Sequence, residues 1–480
     1  MEQVQPVGIS ILAQLPATDR SGVGALLSEE LAQSAQKVVV LDDDPTGVQT
    51  VHGVPVYTDW TPQTVRQAFE EPGRMFFILT NSRSMTVPQT TAAHREIAEA
   101  VNLAARAAGK DYILISRSDS TLRGHYPLET AVLRETLESC GAVPFDGEIL
   151  YPFFLEGGRF TLNNIHYVKE GDQLIPAGQT EFAKDRSFGY TASALPEWCA
   201  EKSGGAVRAE EVVCISLEDL RAMDYDKITQ QLLSVKNFGK VIVNSADYQD
   251  VEVFAVAFLR ALRTGKRFLF RSAAAVTRVL GGVPERPLLT RAELVPQENR
   301  NGGVVLIGSH VNKTTQQMEE LRSCRYPIAF IQFDQHLVLQ PGGLEGEVKR
   351  VVALAQDKIR AGQSVAVYTR RDRFDLPTGD PDKQLEVSVR ISDAVTSIIG
   401  LLEVRPNFII AKGGITSSDV GTKALRVHRA EVMGQIKPGI PVWMTGPESK
   451  FPGMPYVIFP GNVGERETLR EVVELLMGDA

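Results

Sequence analysis

Cysteine is scarce: four stand in 480 residues, at Cys140, Cys199, Cys214 and Cys324, and none has CxxC spacing. That scatter excludes a disulfide framework or a zinc knuckle and fits buried thiols in a reducing compartment. No HExxH occurs among the seven histidines, so a helical zinc motif is absent, and no residue set carries metal-ligand spacing. No apolar run has the length a membrane helix needs, so a membrane partner is not expected. The opening MEQVQPVGISILAQLPATDR lacks the basic start and long apolar stretch of a signal peptide, and a cytoplasmic location is expected. Basic excess is missing as well: 51 Lys+Arg stand against 59 Asp+Glu, a net charge of -8, so nucleic acid is not an expected partner. A GxxxxGK[ST] loop is absent, and no GxGxxG follows a strand, which weighs against P-loop and Rossmann dinucleotide sites.

What is present is an α/β rhythm. Short β-branched runs alternate with longer amphipathic stretches, the pattern of mainly parallel sheets covered by helices. KVVVL (37–41), MFFIL (75–79), YILIS (112–116), KVIVN (240–244) and RFLF (267–270) read as strands, with helices from Pro88 to Ala108 and Val251 to Arg263. Pro284, Pro287, Pro296, Gly302 and Gly303 then interrupt the pattern without a sustained apolar period. The rhythm restarts with VVLI (304–307), AFIQF (329–333), SVAVY (364–368), FIIA (408–411) and YVIF (456–459). The expected organisation is therefore two α/β domains, 1–285 and 303–480, with a linker at 286–302 and an active site in the interdomain cleft.

Ligands of parallel α/β sheets bind beyond the carboxyl ends of the strands. In the first half, KVVVL runs into Asp42, Asp43, Asp44, Pro45, Thr46 and Gly47. Three consecutive carboxylates repel one another unless a cation, hydroxyl groups or backbone N–H groups fill the space between them, so this turn is read as functional. After YILIS come Arg117, Asp119 and Arg123 among Ser116, Ser118, Ser120 and Thr121. Two guanidiniums suit a carboxylate, and Asp with hydroxyl groups suits a polyol. Thr80, Asn81, Ser82, Arg83 and Ser84 follow a third strand, and Glu156, Gly157, Gly158 and Arg159 form a further candidate loop.

The second half places glycine after a strand three times: Gly308 and Ser309; Lys412, Gly413, Gly414, Ile415 and Thr416; and Gly461, Asn462, Val463 and Gly464. Glycine lets backbone N–H groups approach phosphates closely, and the repetition points to a nucleotide. Arg370, Arg371 and Arg373 read as a solvated turn.

On these residues the chain resembles the four-carbon acid sugar kinases. Asp43, Asp44, Pro45, Thr46 and Gly47 match their Asp-Asp-x-Thr-Gly motif, and Asp119 through Gly124 match Asp-Ser-Thr-Leu-Arg-Gly. Gly308-Ser309, Gly413 through Thr416 and Gly461 through Gly464 match the Gly-Ser, Gly-Gly-x-Thr and Gly-x-x-Gly turns of the C-terminal half. Asp42 is an addition, and Pro45, His125 and Ile415 depart from the usual residues. The resemblance implies an acid-sugar-binding half, an ATP-binding half, and phosphorylation of threonate, erythronate or an oxo-tetronate on its terminal hydroxyl, with Mg²⁺ travelling with ATP. It places Asp43 and Asp44 at the reacting hydroxyl, the choice of base left open, and Arg83, Arg117, Asp119 and Arg123 on the substrate. Gly308, Ser309, Gly413, Gly414, Ile415, Thr416, Gly461, Asn462 and Gly464 would hold the nucleotide. Assembly as a homo-oligomer is left open.

Two alternatives use the same residues. Asp42 and Asp44 fit the D-x-D-x-T signature of haloacid-dehalogenase-like phosphatases, with Asp42 as nucleophile, Asp44 as acid/base and Mg²⁺ between them. A non-catalytic sugar-acid-binding regulator would bind without turnover.

Overall fold

Val38, Val39, Val40 and Leu41 are buried in succession on both faces of their strand, as expected where helices cover a parallel sheet on both sides. The computed structural model describes residues 4–17, 20–295, 298–372, 374, 376, 381–461 and 463–478. Its chain divides into two units, Met1–Val51 with Asp59–Glu285, and His52–Thr58 with Arg286–Ala480.

In the first unit the strands Val213–Ile215, Gly239–Val243, Gly147–Tyr151, Phe268–Ser272, Tyr112–Arg117, Lys37–Asp42 and Met75–Leu79 lie side by side in that order. Every pairing among them is parallel. The register sets Leu79, Asp42, Arg117, Ser272 and Tyr151 abreast, so the loops that follow leave from one edge. The strands expected from sequence are present, within a residue or two at the ends. Gly147–Tyr151 and Val213–Ile215 are additions, as is a separate 4-stranded antiparallel sheet of Val7–Gly8, Gln173–Pro176, Ile165–Glu170 and Arg159–Leu162.

In the second unit Ile328–Phe333, Ser364–Thr369, Val304–Ile307, Ile409–Lys412 and Pro455–Phe459 form a parallel set. Ile440–Thr445, Arg429–Lys437 and Val54–Tyr57 extend it in antiparallel fashion. Residues 52–58 thus belong with the second unit, although they lie inside the expected first domain. The stretch expected as a linker is partly packed. It carries the helix Arg291–Leu294 and buries Leu289, Leu294 and Val295 in the second unit's core, while Pro296 lies outside the described residues. The stretch does not run free, because its apolar side chains find a core.

Among the described residues no helix is long and apolar enough to cross a membrane. The first unit's core holds an aromatic cluster in which Phe258 meets Phe270 edge-on at 5.0 Å, with Phe254 at 5.9 Å and Phe268 at 6.0 Å. Phe258 is fully buried, so Phe258→Ala should cost about 3–5 kcal/mol through lost transfer energy and a residual cavity. Urea unfolding followed by circular dichroism measures this, and a loss below about 1 kcal/mol would contradict the packing.

Candidate active site

The three aspartates do not face one another across empty space. Arg83, on the short turn Ser82–Ser84 after Met75–Leu79, donates Nε to Asp43 Oδ2 at 3.0 Å and Nη2 to Asp43 Oδ1 at 2.5 Å. Its Nη1 reaches Asp44 Oδ2 at 2.8 Å. Arg117, abreast of Asp42 on the neighbouring strand, donates Nη1 to Asp42 Oδ1 at 2.9 Å and to Asp43 Oδ1 at 3.5 Å. Two guanidiniums are therefore the filling that the sequence required.

The carboxylates differ in environment. Burial raises the Asp42 carboxyl to about 7; Arg117 pulls it down, and Asp44 and Asp43 push it up. Burial also dominates Asp43 and raises it despite Arg83 and Arg117. For Asp44 burial pushes upward too, but Arg83, Arg117 and hydrogen bonds from Thr46 outweigh it and hold the carboxyl below its ordinary value. Its side chain is 20% exposed, against 2% for Asp42 and Asp43, so Asp44 is the most accessible of the three and the one whose carboxyl is held low. Gly47 explains the glycine of the motif: a Cβ there would lie 2.1 Å from the Asp42 carboxylate oxygens. Asp42 is thus enclosed by Arg117 and Gly47, which disfavours it as a phosphatase nucleophile.

Arg117, read from sequence as a substrate residue, is only 4% exposed and spends Nη1 on these aspartates. Arg123 is more open at 22% and donates Nε to Asp119 Oδ2 at 2.6 Å, while Thr121 donates to the same oxygen. Burial would raise Asp119, but Arg123, Arg83 and these hydrogen bonds hold it far below the usual range. Arg123 and Arg159 share the ring of Phe182, at 5.0 and 5.7 Å. Arg271 donates Nη2 to the Arg123 carbonyl at 2.9 Å.

Several buried polar atoms at this edge have no hydrogen-bond partner among the described residues: Arg117 Nε, Ser118 Oγ, Arg159 Nε, Arg271 Nε and Ser272 Oγ. Buried polar groups are normally paired, and these five are exceptions. Arg271 and Ser272 escaped the sequence reading, although an Arg-Ser pair ending a strand repeats the pattern of Arg117-Ser118. His166 also escaped it. Its ring, buried on the antiparallel sheet, lies 2.8 Å from the Ser120 carbonyl through Nε2 and 3.0 Å from Thr161 Oγ1 through Nδ1. It braces the loop that carries Asp119.

The second unit brings Gly308, Ser309, Gly413, Thr416 and Gly461 together. A Cβ on Gly308 would meet Thr416 Oγ1 at 2.4 Å; one on Gly413 would lie 3.1 Å from Ser309 Cβ; one on Gly461 would lie 3.4 Å from Ser309 Oγ. Gly414 and Ile415 face outward, Ile415 at 66% exposure. Gly464 packs on Thr468 at the start of the helix Thr468–Met477, and Asn462 lies outside the described residues. The arginine turn is not simply solvated: Arg371 donates Nη2 to the Ser309 carbonyl at 2.7 Å and to Thr315 Oγ1 at 2.8 Å. Arg370 pairs with Asp372, and Arg373 lies outside the described residues.

Burial depresses the His166 imidazole to about 4, so the unfolded chain takes up a proton there that the native state refuses. This stabilisation is complete above about pH 6.5 and is lost as pH falls toward 4. Wild type should lose about 2–3 kcal/mol between pH 7 and pH 4.5 that a His166→Gln variant does not lose. Equal acid sensitivity of the two proteins in denaturant titrations would overturn the assignment.

Comparisons with known proteins agree with this layout. Residues 38–280 match a family described as a sugar-binding N-terminal domain, and residues 304–469 match one described as a nucleotide-binding C-terminal domain. The fold is similar to that of protein HI1011 of Haemophilus influenzae, with 17% identity, a TM-score of 0.59, and coverage of 91% of this chain and 99% of that one. A crystal structure from Salmonella typhimurium LT2 is similar at 16% identity and a TM-score of 0.61, with 91% and 98% covered. No match was found among curated proteins. With both halves matched in order, the chain belongs to the four-carbon acid sugar kinase family.

Proposed function

We propose that the protein is an ATP-dependent kinase that phosphorylates a small sugar acid, a four-carbon acid such as threonate, erythronate or an oxo-tetronate, on its terminal hydroxyl. The observation that carries this reading is Asp44, an accessible carboxylate held low by Arg83, Arg117 and Thr46, on the sheet edge where the Ser118 and Ser272 hydroxyls and Arg271 Nε have no partner among the described residues. Arg123 and Arg159 take the substrate carboxylate, in place of the Arg117 and Arg123 pair read from sequence, because Arg117 is buried among the aspartates while Arg123 is more open. Ser118 and Ser272 take sugar hydroxyls. Asp44 orients the acceptor hydroxyl and accepts its proton as the new O–P bond forms and the bond to the departing ADP breaks. Asp43 serves by fixing Arg83. MgATP is the second substrate, its phosphates lying against the loops at Gly308-Ser309, Gly413 and Gly461, and its Mg²⁺ supplying counter-charge when bound.

A binding regulator would use the same pocket without a carboxylate at the reacting hydroxyl, so turnover separates the two readings. With Mg²⁺ and ATP, ADP release should appear with four-carbon sugar acids and stay near background with the matching neutral sugars. Mass spectrometry should find one phosphate on the acid. Asp44→Asn preserves size and should lower kcat by about 10²–10⁴-fold while leaving the thermal transition in place. Absence of ADP release across a panel of four- to six-carbon acids would sink the proposal, and a fully active Asp44→Asn variant would sink the role of Asp44.

A further inference from the structure

Lys412 ends the strand Ile409–Lys412, which lies between Val304–Ile307 and Pro455–Phe459 in the second unit's parallel set, abreast of Ile307 and Phe459. It is completely buried. Its Nζ donates to the carbonyl oxygens of Pro460, at 2.5 Å, and Gly461, at 3.4 Å, and lies 4.0 Å from the centroid of the Phe459 ring. Among the described residues it pairs with no carboxylate, which is unusual for a buried ammonium, because desolvating an uncompensated charge costs several kcal/mol.

The ionisable groups on the surrounding elements do not repair this. Lys313, on the helix Asn312–Leu321, adds like charge. Arg371 is bonded to Ser309 and Thr315, and His310 stands 3.5 Å from Thr369 Oγ1. Asp419, on the helix Gly414–Asp419, is taken by Lys423 and Ser392. Directly beside Lys412 are Gly413 and the Pro460–Gly461 loop, where Ser309 and Thr416 also converge.

We infer that Lys412 is a positioning residue whose buried ammonium finds its counter-ion in the phosphates of a bound nucleotide, and that it holds the Pro460–Gly461 carbonyls away from those phosphates. This rests on the reading of the second unit as the nucleotide-binding half. Without the anion, burial and Lys313 lower the amine to about 7, so at alkaline pH it stands largely neutral, able to donate two N–H bonds to the two carbonyls. A phosphate nearby favours the charged form and raises that value again. Binding above pH 7 is therefore coupled to uptake of a proton from solvent.

The test is calorimetry of MgADP binding to the full chain at pH 8, where the nucleotide phosphates are already ionised, in two buffers of different ionisation enthalpy. Wild type should take up close to one proton per MgADP. Its affinity should be highest below pH 7 and fall by up to about tenfold per pH unit above it. Lys412→Met keeps the bulk without the charge. It should bind at least tenfold more weakly at pH 6.5, take up no proton and lose the pH dependence. A purely structural lysine would alter affinity without proton uptake. MgADP binding by wild type without uptake overturns the inference, as does equal uptake by the variant. If the variant does not fold, wild-type uptake and its pH profile alone decide. A wild type that does not bind MgADP at all removes this inference together with the nucleotide reading beneath it.

Discussion

Arg83 and Arg117, set among Asp42, Asp43 and Asp44, are the constraint on which the first unit's site depends. Adjacent carboxylates at a strand end would drive the turn apart or take up protons; two guanidiniums convert that repulsion into a fixed geometry. The result is unequal. Asp42 is enclosed and its carboxyl rises to about 7, Asp43 is held by a two-pronged bridge, and Asp44 remains ionised and partly open. One accessible carboxylate emerges because the other two are committed to the arginines that stabilise it.

The parallel sheet makes this arrangement inexpensive to position. Strands in register deliver Asp42, Arg117 and Ser272 abreast, and the loops beyond them need only short excursions. The same edge geometry recurs in the second unit with the opposite electrostatics. There Lys412 ends an interior strand under converging glycine turns, and no carboxylate among the described residues balances it. One unit pairs the charges at its sheet edge internally; the other leaves a buried lysine without a carboxylate among the described residues.

Much of this was legible in the sequence because parallel strands buried on both faces leave unbroken β-branched runs. Strand ends can then be searched for polar clusters, which singles out Asp43, Asp44, Arg83, Asp119 and Arg123, and the structure joins them through Arg83–Asp43, Arg83–Asp44 and Arg123–Asp119 contacts. Arg117 stands out in the same way, but its hydrogen bonds to the aspartates depend on strand adjacency, which one sequence does not display. Arg159 was read as part of a loop, and the shared Phe182 ring joins it to Arg123. His166 and Arg271 sit in segments whose local pattern says nothing of their distant partners. The antiparallel extension was missed although Ala430, Val432, Gly434 and Ile436 alternate with polar or exposed neighbours. That period-2 signal is diluted by Met433, and Val54–Tyr57 pairs with residues nearly four hundred positions away.

The ion cluster is tested most directly by a double-mutant cycle on Arg83 and Asp43, using Arg83→Met, Asp43→Asn and the double variant in urea unfolding. Close partners in a shared network couple by about 0.5–3 kcal/mol. The two-pronged bridge, with Asp43 buried, predicts a coupling in the upper half of that range, each single variant being destabilised more than its share of the double. Additive effects, with a coupling near zero, would contradict the account, since the arginine would then not be what holds the aspartates in place.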